Sequence, residues 1–252
     1  MTLLDNRHYL LLVWLTTNGL IAFGVIVSWN EGLITQLVDG DRSRICLIIG
    51  LIYLLATLHC ATRVLYLSSE LNFASDVARI FGAAGPSDVI SISHGRLTVG
   101  ELELLPVCVA TQHIIDLKNS HYELREIDQT TEKPNLIEAL AEKLKGAHEV
   151  GWFIVDILLK LGLVGTIIGF ILMLGSIANT TSLDVNTMQK VLHQMSSGMG
   201  TALFTTLAGL IGSILLGLQY LLLDKGADEL LHRIVMVVEL KIKPQLITKG
   251  GD

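Results

Sequence analysis

The chain has 252 residues, of which 51% are hydrophobic and only 17% are charged, and its mean hydropathy is +0.57. These values exclude an ordinary soluble domain and indicate an integral membrane protein. The net charge is −6 and the sequence has no basic cluster, so it offers no positively charged surface of the kind that binds nucleic acid.

Four uncharged stretches predict four transmembrane helices, because each is close to or longer than the roughly 20 residues that cross about 30 Å of hydrocarbon. They are residues 9–30, 45–62, 161–183 and 191–223. The second stretch contains His59, which we interpret as a hydrogen-bonded structural residue. No convincing small-residue cleavage site follows the first stretch, so we expect an uncleaved first span.

The predicted fold class is all-α, a polytopic membrane protein with a helical cytoplasmic block. Most Lys and Arg residues lie in the block between the second and third spans and in the C-terminal tail, and the positive-inside rule places both in the cytoplasm. Both termini are then inside, although Arg42 and Arg44 on the first loop oppose this rule. The expected divisions are 1–67 (first two spans), 68–150 (cytoplasmic helices), 151–224 (core spans) and 225–252 (cytoplasmic helix and tail).

The cytoplasmic block is predicted as three helices. The first continues the second span over residues 68–81. The second runs from Thr98 to Asn119. Its start is predicted because Thr98 and Glu101 match a capping box, and Pro106 predicts a kink within it.

The third helix starts after Pro134 and continues without a breaker into the third span, which predicts one helix of about 45 residues ending at Ala178. The fourth span is also longer than a bilayer requires, and its excess is predicted to extend into the cytoplasm as residues 221–240.

The last two spans are rich in small residues. In lipid, helices associate through close packing and hydroxyl hydrogen bonds, so glycines and hydroxyl residues at helical spacing predict packing faces. The residues concerned are Gly162, Gly165 and Gly169 in the third span and Thr201, Thr205, Gly209, Ser213 and Gly217 in the fourth. Thr166, Thr205 and Thr206 are polar groups at membrane depth, which indicates either an ion pathway or hydroxyls bonded to their own helix.

The last two spans also lack charge, since neither 161–183 nor 191–223 contains Asp, Glu, Lys or Arg. If an ion crosses here, the titrating carboxylate must come from another chain. Glu149, Asp156 and Lys160 precede the third span and could gather cations at its inner mouth, or could belong to a solvated face with Asp156 and Lys160 as an i,i+4 pair.

Two segments resemble the signatures of the MotA/TolQ/ExbB proton-channel family. LGLVGTIIGF resembles the LGLxGTxxGI signature, and GMGTALFTTLAGLIGSI resembles the second signature in the last span. The resemblance implies a pentamer around two copies of a single-span partner, similar to MotB, TolR or ExbD, whose Asp carries a proton or sodium ion. It also implies a bacterial inner-membrane location.

The resemblance assigns roles to individual threonines. Thr166 and Thr206 match the family's pore-facing threonines. Thr201 is also expected to line the ion pathway, and it lies where the TolQ and ExbB branch has a Glu. Thr205 belongs to a stripe of residues spaced four apart, which consists of Thr201, Thr205, Gly209, Ser213 and Gly217. This stripe is then turned toward an adjacent subunit, since neighbouring helical residues point about 100° apart.

Two other functions compete with an ion channel. A membrane scaffold could use the glycine faces only to oligomerise. An enzyme has little support, because the histidines match no catalytic or metal-binding motif and Cys46, Cys60 and Cys108 are not spaced as a disulfide or zinc set. No cofactor and no metal are expected.

Overall fold

The computed structural model describes residues 9–83, 90–93, 96–99, 103–104, 108–126, 136–178 and 185–239. The helices are α1 (Tyr9–Asn30), α2 (Leu33–Gly40), α3 (Ile45–Ala83), α4 (Val109–Glu126), α5 (Leu136–Ala178) and α6 (Val185–Val237). The strands are β1 (Ile90–Ser93), β2 (Arg96–Val99) and β3 (Glu103–Leu104).

The predicted polytopic all-α class is confirmed. Four helices, α1, α3, α5 and α6, are long and apolar enough to cross a membrane. The continuous third helix is also confirmed, because α5 extends over 43 residues. Helix α6 extends over 53 residues and reaches Val237, and the predicted tail beyond 239 lies outside the described residues.

The chain divides into two compact units. We call Leu12–Thr62 with His148–Leu222 the span unit, and Met1–Leu11, Arg63–Ala147 and Leu223–Asp252 the polar unit. Within the span unit, α1 buries none of its residues and exposes large apolar side chains along its length. This helix therefore suits a lipid environment and not water.

The polar unit is held together by polar contacts between its helices. Arg233 Nη1 of α6 donates to Ser75 Oγ of α3 at 2.5 Å. Lys145 Nζ of α5 lies 2.6 Å from the Asp228 carboxylate of α6. These contacts fix the polar ends of the long helices to one another.

The predicted helix from Thr98 is wrong in its first part. Residues 96–99 form β2, which pairs antiparallel with β1 and β3 in the order β1-β2-β3. Thr98 faces Leu104 across the sheet, and the alternating ISIS and RLTV segments have the two-residue period of strands. Helix α4 begins at Val109, whose N–H donates to Glu70 Oε2 at 2.9 Å. Glu101 and Pro106 lie outside the described residues.

A short helix that the sequence did not predict, α2, joins the first two spans. Gly32 precedes it with φ +72°, a left-handed conformation that glycine adopts without steric cost. Asp41 then ends the turn and caps α3, accepting hydrogen bonds from Ser43 N at 2.9 Å and Cys46 N at 2.7 Å. The turn is therefore an ordered structure that positions α3 in the span unit.

Candidate functional site

The contact between α5 and α6 depends on glycines that leave no room for a side chain. A methyl group added to Gly169 would lie 2.6 Å from the backbone nitrogen of Ala202 and 2.7 Å from the Gly198 carbonyl oxygen. One added to Gly209 would lie 2.8 Å from the Cα of Gly162. The two backbones therefore meet directly, as small-residue faces in membranes allow.

The α6 stripe packs on α5 of the same chain. Thr205 is fully buried and lies against Gly165, and its hydroxyl donates to the Thr201 carbonyl at 2.8 Å. Ser213 bonds to the Leu210 carbonyl of its own helix at 2.9 Å. A methyl group added to Gly217 would contact Val155 at 3.7 Å. The stripe is already covered within one chain, so the expected orientation of Thr205 toward an adjacent subunit is wrong.

Thr201 has a different environment from the pore-lining position that the sequence suggested. Its side chain is fully buried beneath the α2–α3 turn. Its Oγ1 lies 3.0 Å from the Gly40 carbonyl and accepts the Arg42 N–H at 3.2 Å. Because this buried hydroxyl lies between the turn and the Ser197 carbonyl of its own helix, 3.1 Å away, Thr201 anchors the turn to α6 within this chain.

Thr166 and Thr206 lie near the α5–α6 contact with part of each side chain accessible. The Thr206 hydroxyl donates to the Ala202 carbonyl at 3.0 Å and lies 3.4 Å from the Gly162 carbonyl of α5. The Thr166 hydroxyl donates to the Leu163 carbonyl at 2.5 Å. Both hydroxyls can rotate toward another acceptor, because neither side chain is enclosed.

Thr166 borders an apolar groove of about 450 Å³, which we call the outer groove. Its lining consists of Thr166, Ile167, Phe170, Ile171, Met173, Met199 and Ala202. Thr166 contributes the only hydroxyl among these residues. A polar ligand or ion in the groove would therefore contact this threonine among apolar surroundings.

The three charged residues expected at an inner mouth all lie on α5. Glu149 is exposed. Asp156 and Lys160 form the i,i+4 ion pair that their spacing suggested. Leu158, between them in sequence, is fully buried against α6, so the pair faces away from that helix.

A polar cluster links α3 to α6 in the span unit, and its α6 members were not singled out from the sequence. His59 Nδ1 lies 2.9 Å from the Tyr220 hydroxyl, as expected for a hydrogen-bonded structural histidine. Gln219 Nε2 donates to Tyr53 Oη at 3.1 Å. Polar residues in two separate spans are the signal that could have paired them, because such residues seek partners at membrane depth.

The described residues contain no group of three or more His, Cys, Asp or Glu side chains placed to hold a metal ion. The candidate site is therefore built from hydroxyls, backbone carbonyls and one ion pair. Such groups can coordinate or guide a cation.

Comparison with known proteins supports the motif-based resemblance. The family model described as the MotA/TolQ/ExbB proton channel family matches residues 119–236, which include all of α5 and almost all of α6. The resemblance is thereby confirmed. No curated protein and no solved structure matches the chain.

Proposed function

We propose that this chain, which belongs through residues 119–236 to the MotA/TolQ/ExbB proton channel family, is the channel-forming subunit of an ion-driven motor complex in the bacterial inner membrane. The observation that carries the proposal is the close α5–α6 contact, which leaves Thr166 and Thr206 partly accessible while Thr205 is enclosed. Thr166 and Thr206 line the ion pathway.

The complex needs a second protein. No acid lies in 161–178 of α5 or 191–223 of α6, so the carboxylate that carries the ion past the threonines belongs to a partner. A single-span protein similar to MotB, TolR or ExbD supplies it, with two copies inside a pentamer of this chain. Proton or sodium flow past the partner's Asp then drives rotation or force.

The orientation follows from charge. The polar unit holds the described Lys and Arg residues of α4, of the first part of α5 and of the last part of α6, so we place it in the cytoplasm with both termini. Glu149 is exposed on α5 and attracts cations to the inner mouth.

A valine scan of adjacent threonines tests the pathway. Thr206→Val keeps the side-chain volume but removes a partly accessible hydroxyl, so we expect at least a tenfold lower ion flux in liposomes containing the complex. Thr205→Val is the matched control, because its hydroxyl is buried and bonded within its own helix; flux should stay within about twofold of the wild type. Native mass spectrometry reports assembly of both variants.

A scaffold without conduction is the competing function. It is favoured by one observation: the hydroxyls of Thr166 and Thr206 are each bonded to a carbonyl of their own helix. A scaffold predicts no ion flux in the wild-type complex and no effect of Thr206→Val. Wild-type ion flux in Thr206→Val would show that Thr206 does not line the ion pathway.

A further inference from the structure

Asp156 lies beside the middle of the apolar part of α3. A methyl group added to Gly212 of α6 would contact both Ile49 of α3, at 3.6 Å, and Leu158 of α5, at 3.8 Å, so these three residues share one level. Eight residues further along α6, Tyr220 contacts both Gly151 of α5 and His59 of α3, which defines a second level. Asp156 lies between these two levels on α5.

The rise per residue of an α-helix gives the distance of Asp156 from each of these two levels along α5. At about 1.5 Å per residue, Asp156 is about 3 Å from the level of Ile49 and about 7.5 Å from the level of His59. The uncharged stretch of α3, residues 45–62, extends beyond both levels. Asp156 is therefore well inside the depth that α3 spans.

The surface of the chain at that depth is apolar. Leu54, Leu55 and Leu58 of α3 are each 60% exposed or more, and α1 buries none of its residues. An apolar surface of this size needs lipid around it. The ion pair of Asp156 and Lys160 is thus placed at bilayer depth and not at a solvated mouth.

Charged side chains at this depth are expensive unless they face protein or water. Asp156 and Lys160 share one face of α5, about 160° around the helix from Leu158, which is buried against α6. Their side chains keep 50% and 66% of their accessible surface, respectively. Within the complex, this face must meet another chain or a water-filled path.

The level of the threonines adds a second argument. Thr201 meets Gly40 at the end of the α1–α3 hairpin, and Thr205 meets Gly165. Thr166 and Thr206 therefore lie near the hairpin's turn, and Asp156 is about 15 Å from Thr166 along α5. A cation leaving the threonines still has most of the hairpin's depth to cross.

We propose that Asp156 is a cation-relay carboxylate and Lys160 its counter-ion. This inference rests on the proposed channel function. The transported proton or sodium ion binds the Asp156 carboxylate in exchange for the Lys160 ammonium and then leaves toward Glu149, after which the Asp156–Lys160 pair forms again. The chain thus supplies an intramembrane acid of its own, in addition to the partner's Asp.

Neutral and exchanged pairs test the assignment in the complex with its single-span partner. D156N/K160Q removes both charges without leaving one unpaired, and we expect at least a tenfold loss of proton flux, read with a pH dye in liposomes, or of sodium flux, read with a sodium dye. D156E keeps the acid in place and should retain flux. D156K/K160D keeps the pair but moves the acid by about 6 Å, and flux should stay low.

The outcomes separate this inference from the proposed function. Wild-type flux in D156N/K160Q, with loss in Thr206→Val, overturns only the relay. Full flux in D156K/K160D, or failure of both double variants to assemble in native mass spectrometry, assigns the pair to packing and also overturns the relay. Absence of flux in the wild-type complex contradicts the channel function itself.

Discussion

At the scale of single residues, Asp41 shows how one side chain fixes the turn between α2 and α3. It is 4% exposed and accepts hydrogen bonds from Ser43 Oγ at 2.5 Å and from Cys46 N at 2.7 Å. Burial raises the pKa of Asp41, but the hydrogen bonds from Ser43 and Cys46 together outweigh it, so the pKa is lowered. The charged carboxylate is therefore the form that stabilises the turn.

Replacing Asp41 by Asn should destabilise the protein by about 1–2 kcal/mol, because both oxygens of Asp41 accept hydrogen bonds and an amide nitrogen in place of one of them cannot. Thermal unfolding in detergent measures the change. Since the folded pKa lies below the unfolded value of about 3.9, the stabilisation is complete above that value and is lost as pH falls through the folded pKa. The difference between wild type and Asp41→Asn should shrink below about pH 4; a constant difference would contradict the role of the charge.

The sequence predicted the types of residue at the site better than their surroundings. Spacing identified Thr201 and Thr205 as members of one stripe, and they do lie on one face of α6. It could not show that the turn at Gly40 covers Thr201, because the position of that turn depends on how α1 and α3 pack. Burial by a distant segment leaves no local sequence pattern.

At the scale of elements, the α5–α6 contact should tolerate no added carbon at its closest points. Gly169→Ala places a methyl group 2.6 Å from a backbone atom, which cannot move as a flexible side chain can. We expect a loss of about 1–3 kcal/mol from overpacking, measured as a lower unfolding midpoint in detergent.

Gly175→Ala is the matched control on the same helix. Among the described residues, a methyl group there would have no atom within 4 Å beyond the neighbouring backbone of its own helix. Alanine also favours helix over glycine by about 0.8–1.0 kcal/mol, so this variant should be as stable as the wild type or slightly more so. Equal effects of the two substitutions would show that helix propensity, and not the contact with α6, determines the stability of α5.

Element prediction succeeded where a single periodicity persisted. Helix α5 follows from an uninterrupted run without glycine–proline breakers, and the structure continues it to Ala178. The helix predicted from Thr98 is wrong because the capping-box pattern covers only four residues, whereas ISIS and RLTV alternate with the two-residue period of strands. Short strands paired in a sheet give weaker signals than long helices, because each contains only a few alternating residues.

At the scale of the whole molecule, hydropathy identifies each span but does not align the spans with one another. Hydropathy alone predicts 161–183 as the membrane part of α5, which puts Asp156 outside the bilayer. Contacts of Leu158 and Gly151 within the span unit instead set α5 beside α3 through residues that precede this stretch. Depth is a property of packing between helices, so the level of the Asp156–Lys160 pair relative to α3 could be argued only from the structure.

This arrangement also predicts what the chain does alone. Around Thr166 and Thr206, α5 and α6 offer hydroxyls that cannot ionise near neutral pH, and Asp156 is about 15 Å away along α5. The chain without its partner should therefore assemble in liposomes but pass protons and sodium at no more than the rate of protein-free liposomes, while the complex passes one of them. Dye-loaded liposomes measure both cases, with Thr206→Val in the complex as the control for leak. Ion flux through the chain alone, at a rate near that of the complex, would mean that the pathway is complete within this chain and that no partner carboxylate is required.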